Sequence, residues 1–220
     1  MSDSLTTLIG KVQTLLLDDG TRFTTATVTA AARLALAEFN QRAPMQTDTI
    51  LDVIADVKEY DLSEREATAL AIFNVLEVDL DGDDDQELEY DAFNKNDFVE
   101  FRLRTALSSG ELRVCFSKPY TINGLDGEVE STLPAFWVTT LLSGACFWSL
   151  QIRSVGRVET INLNQDVSKN LIDAKRYYRQ VFDAGLVKAA ARFAMVGERG
   201  TVGDGGRGTA WNDAWHGWGQ

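Results

Sequence analysis

The sequence is poor in the residues that bind soft metals and perform nucleophilic catalysis. It has one histidine and two cysteines among 220 residues, and a zinc site needs about four such ligands. Cys115 and Cys146 sit among apolar neighbours, so we predict two buried, reduced thiols, with a disulfide or a redox role as the alternative. His216 lies in a glycine-rich stretch that cannot hold it rigidly, which argues against a Ser-His-Asp or Cys-His site.

Other signatures of enzymes, membrane proteins and exported proteins are also missing. No phosphate-binding glycine loop stands between a strand and a helix, and no spacing of carboxylates singles out a catalytic pair. We therefore predict a protein that is not an enzyme and uses no metal or cofactor, and leave open a carboxylate enzyme without assignable residues. No uninterrupted apolar run approaches the roughly 20 residues that span a bilayer, and residues 1–10 lack a signal-peptide pattern. These absences predict a chain that is made and kept in a cytoplasm, without a membrane partner.

Charge is unevenly distributed along the chain, whose formal net charge is −12. Residues 77–100 hold eleven acidic residues and one lysine, a net −10, whereas residues 150–220 hold ten basic and seven acidic residues, a net +3. Such a negative chain lacks the broad positive surface by which proteins bind nucleic acid. Duplex DNA can still pass close to it without adhering.

The acidic run at 79–91 superficially resembles a calcium-binding loop. Gly82 occupies the fourth position, whereas the turn requires glycine at the sixth, which is Asp84 here. The twelfth position, which should be a bidentate glutamate, is Tyr90. We predict a solvated loop between strands and keep a calcium-dependent binding module as the alternative.

Hydrophobic periodicity predicts four helices, two on each side of a middle segment. Their expected bounds are 4–17, 26–41, 134–152 and 167–193. Thr24 or Thr25 offers a cap for the second helix, and Pro134 suits the first turn of the third. The third helix is apolar almost all round and should be buried on most sides. One face of the fourth helix is basic and carries Lys169, Lys175, Arg176 and Arg179.

The middle segment, about 46–120, has the β-branched and alternating pattern of strands. The expected strands are 49–57, 70–80, 87–93 and 112–116. Residues 95–104 are predicted as a short helix capped by Asn96. Because the strands run together rather than alternating with helices, the fold class is α+β, a helical bundle with a β-rich insertion. We assign residues 1–196 to this domain.

Residues 197–220 differ in composition and form a predicted flexible tail. They contain eight of the seventeen glycines and three of the five tryptophans, which predicts disorder in the free monomer. Trp211, Trp215 and Trp218 would share one face of a helix. We predict that these indoles bind a partner and that the tail folds on binding, with packing onto the chain's own domain as the alternative.

Several stretches together share the pattern of one known protein family. LIGKVQTLLLDDG and FTTATVTAAARLALAEFNQRAP are similar to its paired N-terminal helices. KEYDLSEREATALAIFNVLEVDLDG looks like its Tyr-x-Leu strand followed by a valine-rich strand. LRVCFSKPYTINGLDGEVESTLPAFWVTTLLSGACFWSL resembles its strand, its Pro-Tyr loop and its Leu-Pro helix start. By these stretches the chain resembles the head-to-tail adaptor, or connector, family of tailed bacteriophages. The middle segment is longer than usual, and Leu62 is followed by Ser63 where proline is common.

The resemblance implies a structural virion protein in the neck, between head and tail. It implies a homo-oligomeric ring, with twelve copies, that binds the portal protein on one face and the tail or a stopper protein on the other. In such proteins the C-terminal tail commonly reaches the portal, which agrees with the independent interpretation of Trp211, Trp215 and Trp218. Genomic DNA would pass through the ring without specific binding, and assembly would take place in the host cytoplasm. Another neck or tail-completion protein, such as a stopper, is the alternative within this class.

Overall fold

The computed structural model describes residues 4–18, 20–63, 65–78, 85–95, 98–155 and 165–198. The chain begins with two helices, α1 (Leu5–Leu15) and α2 (Thr25–Arg42). The strands that follow are β1 (Met45–Asp52), β2 (Glu59–Asp61), β3 (Ala71–Val78), β4 (Gln86–Glu87), β5 (Tyr90–Lys95), β6 (Phe98–Leu103) and β7 (Glu111–Lys118). A short 3-10 turn (Ala135–Trp137) then runs into α3 (Val138–Val155), and α4 (Gln165–Glu198) follows. Helices flank a continuous run of strands, so the predicted α+β class is confirmed.

Polar side chains cap the starts of both N-terminal helices, and Thr24 is one of the two caps that the sequence offered for the second helix. The hydroxyls of Ser4 and Thr24 accept hydrogen bonds from the backbone N–H of the residue three positions later, which caps α1 and α2. After α1, Leu17 takes a left-handed conformation with φ of 51°. The Asp18 carboxylate then accepts a hydrogen bond of 2.6 Å from the backbone N–H of Phe23. α2 ends with Ala43 as its C-cap, directly before Pro44.

The strands form two antiparallel sheets that share one apolar core. The larger sheet has the order β1-β7-β3-β4 and the smaller one β2-β6-β5. In the larger sheet Met45 pairs with Lys118, so the first and last strands of the insertion lie side by side. Alternate residues of β7 and β6 are buried in this core: Leu112, Val114, Phe116, Val99, Phe101 and Leu103. The predicted β-rich insertion is therefore present, with both of its ends at one place.

The prediction of a helix over 95–104 was wrong, because this segment contains the central strand β6. It pairs with β2 on one side and with β5 on the other. Val99, Phe101 and Leu103 alternate with exposed or half-exposed residues, which is the period of a strand. Burial of all three in the sandwich core outweighs the local signal that Asn96 gives for a helix cap.

Other predicted bounds shift for identifiable reasons. β1 ends at Asp52 rather than at 57, because Val53 bonds to Gly110 and Asp56 turns the chain with φ of 61°. The strand predicted at 87–93 divides into β4 and β5. Pro134 precedes the first turn as its N-cap instead of lying within it.

The four helices share a second apolar core. Buried residues from each helix contribute to it: Leu8, Val12, Val28, Ala32, Leu36, Phe39, Leu141, Ala145, Leu150, Phe182 and Leu186. By length and composition alone, Ala135–Ser154 would qualify as a membrane-spanning helix, although threonine, serine and glycine interrupt its apolar residues. α3 packs on the three other helices, as the sequence predicted, and between residues 138 and 154 only Thr139 and Ser154 are exposed. Several other residues of α3 are partly accessible, among them Phe147 and Trp148.

Candidate functional site

The described residues form surfaces suited to binding another protein rather than a catalytic or metal-binding centre. No group of three or more His, Cys, Asp or Glu side chains in this part of the chain could hold a metal ion. Both cysteines are free, as predicted, although Cys115 is only half-buried. Burial raises the pKa of the Cys146 thiol to about 12. Burial, and then the nearby Asp48 carboxylate, also raises the pKa of Cys115. Protonated thiols are poor nucleophiles and poor metal ligands, so neither cysteine is suited to nucleophilic catalysis or metal binding.

The residues predicted to bind a partner lie outside the described part of the chain. This applies to Trp211, Trp215 and Trp218, and to residues 79–84 of the acidic run. The next residue of that run, Asp85, is described, and its carboxylate pairs with the Arg113 guanidinium on β7. Arg113 also lies 3.7 Å from Asp48 on β1. Asp85 therefore ties the acidic run to the sheet through an ion pair.

Helices α3 and α4 approach each other closely at two glycines. A β-carbon added at Gly144 would stand 2.8 Å from the Phe182 ring, and one added at Gly185 would collide with the Thr140 side chain. Because neither glycine has a side chain, the two helices can pack at short range at both positions. The sequence analysis assigned neither glycine a role, since its only signal is a glycine inside a helical pattern.

Arg179 joins α4 to α2 through a network of charged groups. Its two terminal nitrogens donate to the two Glu38 carboxylate oxygens at 2.8 and 3.1 Å, and its Nε donates to Asp183 at 2.9 Å. The guanidinium also stacks over Phe147, 5.1 Å from the ring centroid. Placing Arg179 on the outer basic face of α4 was thus wrong. Its partner Glu38 lies far away in sequence, and only the tertiary fold brings the two together.

The loop between β7 and the 3-10 turn is fastened to the N-terminal helices. Asn40 on α2 exchanges two hydrogen bonds with the Tyr120 backbone, at 2.8 and 3.1 Å. Arg33 donates from Nε to Asp126 at 2.9 Å, and this hydrogen bond lowers the pKa of the Asp126 carboxyl. The backbone N–H of Leu5 donates to the carbonyl of Asn123. A segment rich in glycine and polar residues is therefore held in one conformation.

At its far end this loop exposes an aliphatic residue between two carboxylates. Val129 is 80% exposed, and Glu128 and Glu130 on either side of it are also exposed. Neither glutamate forms an ion pair with any described residue. We call Glu128, Val129 and Glu130 the acidic knob.

The outward face of α4 is both apolar and basic. Ile172, Tyr177 and Val187 are between 55% and 64% exposed. Lys175, Arg176 and Lys188, three cations of the same helix, form no ion pair with a described residue. Large exposed apolar side chains in an ordered helix mark a contact surface more often than isolated surface residues do. This face is the part of the described structure best suited to binding another protein.

A second exposed aromatic residue lies where the 3-10 turn meets α4. Phe136 is 55% exposed, and the Arg192 guanidinium lies 4.7 Å from its ring centroid. Trp137, next along the chain, packs instead on Phe39 of α2 with ring centroids 5.8 Å apart. Apolar residues predicted to be core therefore divide between the helical core and the surface.

No known protein family matches this chain, and no curated protein does. Eleven chains of solved structures are similar to it. One is a chain of the structure described as "Neck of empty GTA particle computed with C6 symmetry". That similarity covers 71% of this chain and 79% of that chain, at 12% sequence identity and a TM-score of 0.30. A TM-score this low does not establish a shared fold.

Proposed function

We propose that the chain is a structural protein of the neck of a tailed bacteriophage, and that its copies form the adaptor ring between portal and tail. The sequence resemblance to the adaptor family supports this proposal, as does the order of two helices, a β-rich insertion and two further helices. The observation that carries most weight is the outward face of α4, which combines exposed apolar residues with cations that form no ion pair in the described part of the chain. A ring subunit needs such a face toward its neighbours.

In this proposal the protein acts by binding other proteins, not by catalysing a reaction. Arg179 and the close packing at Gly144 stiffen the helical layer, so a subunit would present its surfaces without rearrangement. Twelve copies would close the ring, and repetition of each contact would hold the joint even where one contact is weak. The net charge of −12 would keep DNA from adhering as it passes through the channel.

The tail at 197–220 is proposed to reach the portal protein, with Trp211, Trp215 and Trp218 as its anchors. Indoles bury large areas and are enriched among residues that dominate binding energy. The opposite face of the ring would receive the tail or a stopper protein. In this proposal the protein acts in the virion after assembly in the host cytoplasm.

Imaging the purified chain together with isolated portal rings tests the proposal. We expect a second ring of density on one face of the portal, seen by negative-stain electron microscopy. Cross-linking mass spectrometry on whole particles should then join Lys175 or Lys188 to a neighbouring copy or to the portal. Binding only to a preformed portal–adaptor complex would identify the chain as a stopper instead. Absence from purified particles would refute any role in the neck.

A further inference from the structure

The C-terminal half of α4 presents a shallow, positively charged surface. Ala184, Val187, Lys188, Ala191 and Arg192 are all exposed there. Val187 is 64% exposed and stands between the two alanines, three residues before it and four after it, so they lie on the same face of the helix. Because alanine side chains are short, this area protrudes little, and Lys188 and Arg192 lie at its border. We call these five residues the basic strip.

The acidic knob has the opposite charge and an exposed apolar residue of its own. Val129 lies at its centre, flanked by Glu128 and Glu130, which form no ion pair within the described residues. The knob is also rigid, since the carbonyls of all three residues accept hydrogen bonds. Glu128 accepts from Gly124 at 2.7 Å, Glu130 accepts from the Thr121 hydroxyl at 3.0 Å, and Val129 accepts from the Asn123 side chain. With the backbone engaged in this way, binding the knob requires little ordering.

The knob and the strip are held by different helices. The knob's loop contacts α1 through Asn123 and α2 through Asp126. The strip belongs to α4, which packs mainly on α3 at Gly144 and Gly185. No ion pair joins the knob to the strip among the residues that the structure describes, so both surfaces are available to a neighbouring copy. A contact between two different surfaces of identical chains continues from copy to copy and closes into a ring where the rotation allows.

We propose that the acidic knob of one copy docks onto the basic strip of the next, with Val129 against Val187 and Glu128 beside Lys188. This inference names the subunit contact within the proposed ring. The partner is a second copy of this chain because charge and apolar surface are complementary between these two sites. Apolar contact at the centre supplies attraction, and the surrounding charges set the orientation.

Charge reversal on each side gives a stringent test. Lys188→Glu and Glu128→Lys should each weaken self-association of the full chain about tenfold, as measured by sedimentation velocity and native mass spectrometry over a concentration series. An equimolar mixture of the two variants should recover assembly. In alternating order, every contact in the mixture again joins a lysine to a glutamate, whereas each variant alone places like charges together.

Matched controls separate this contact from a general effect of charge. Arg22→Glu, in the turn between α1 and α2, and Glu87→Lys, on β4, make the same reversals at exposed positions outside both surfaces. Both controls should assemble like the unmodified chain. Circular dichroism should show that all four variants remain folded.

Four results would overturn the inference. One is an unmodified chain that stays monomeric at the highest concentration, and another is a Lys188→Glu chain that assembles normally. The third is a variant mixture that assembles no better than its components. The fourth is a set of cross-links from Lys188 to the exposed acidic turn at Asp52 and Asp56 in place of Glu128. None of these affects binding to portal rings, so a neck protein with a different subunit contact would remain distinguishable.

Discussion

The ring of Phe182 on α4 covers Gly144 on α3 so closely that no side chain fits between them. A β-carbon at residue 144 would stand 2.8 Å from the nearest ring carbon, well inside van der Waals contact. Phe182 is itself fully buried and faces α3 from the middle of a 34-residue helix. The position of α4, and with it the direction of its exposed face, therefore depends on the absence of one methyl group.

Replacing Gly144 with alanine should destabilise the protein by about 1–3 kcal/mol, because the helices must separate or Phe182 must leave its rotamer. Urea unfolding followed by circular dichroism measures this loss. Gly10→Ala in α1 is the control, since nothing lies within 4 Å of the added carbon. It should stabilise the protein by up to about 1 kcal/mol through helix propensity. Equal behaviour of the two variants would contradict the proposed packing role of Gly144.

Replacing Arg179 with alanine should cost about 1–3 kcal/mol, because the Glu38 carboxylate, 15% exposed, loses its two charged hydrogen bonds. Arg176→Ala, three residues earlier on the exposed face, should change the free energy of unfolding by no more than about 0.5 kcal/mol. In a double-mutant cycle, Glu38→Gln should couple to Arg179→Ala and not to Arg176→Ala. Additive effects at positions 38 and 179 would show that the ion pair contributes nothing.

The two thiols should differ in reactivity. At about pH 8 a thiol reagent should leave Cys146 unmodified in the folded chain and modify Cys115 slowly, while both react at once in denaturant. Burial raises the folded-state pKa of Cys146 to about 12, above the unfolded value. The stabilisation linked to its proton is therefore complete below the unfolded pKa and is lost as pH rises toward about 12. Rapid labelling of Cys146 under native conditions would mean that α3 is not packed as described.

Removal of the residues after Glu198 should leave a folded chain that no longer binds the portal. Among the described residues, the last members of the helical core are Leu186 and Ala189 on α4, so the described core is complete without the tail. Thermal unfolding should be unchanged within about 2 °C, while binding to portal rings is lost. Replacing only Trp211, Trp215 and Trp218 with alanine should have the same effect. If the truncated chain unfolds, the indoles pack on their own domain instead.

Local signals in the sequence were sufficient for the helices and for the presence of the β-rich insertion. The Thr24 cap and the stop at Ala43 and Pro44 act within a few residues, so they can be recognised without the fold. The strand β6 was mistaken for a helix because its alternation is short, and its identity depends on two partner strands.

The surfaces could be predicted only in part. Composition indicated that α4 is basic. The structure adds that Arg179 pairs with Glu38 on α2, whereas Lys188 forms no ion pair with a described residue. The acidic knob could not be predicted from the sequence, because a valine between two glutamates is common in loops. Only the structure shows that a fixed backbone holds this valine exposed. Contacts between residues far apart in sequence, such as Glu38 with Arg179, are set by tertiary packing and leave no local pattern.

The pairing of Met45 with Lys118 brings the entrance and the exit of the β-rich insertion together, and just outside it Asn40 and Tyr120 are joined by two hydrogen bonds. Two chain ends so close can be bridged by a turn of a few residues. The sheet pair, which has its own core, can therefore change in length or be replaced by a short turn while the helices keep their packing.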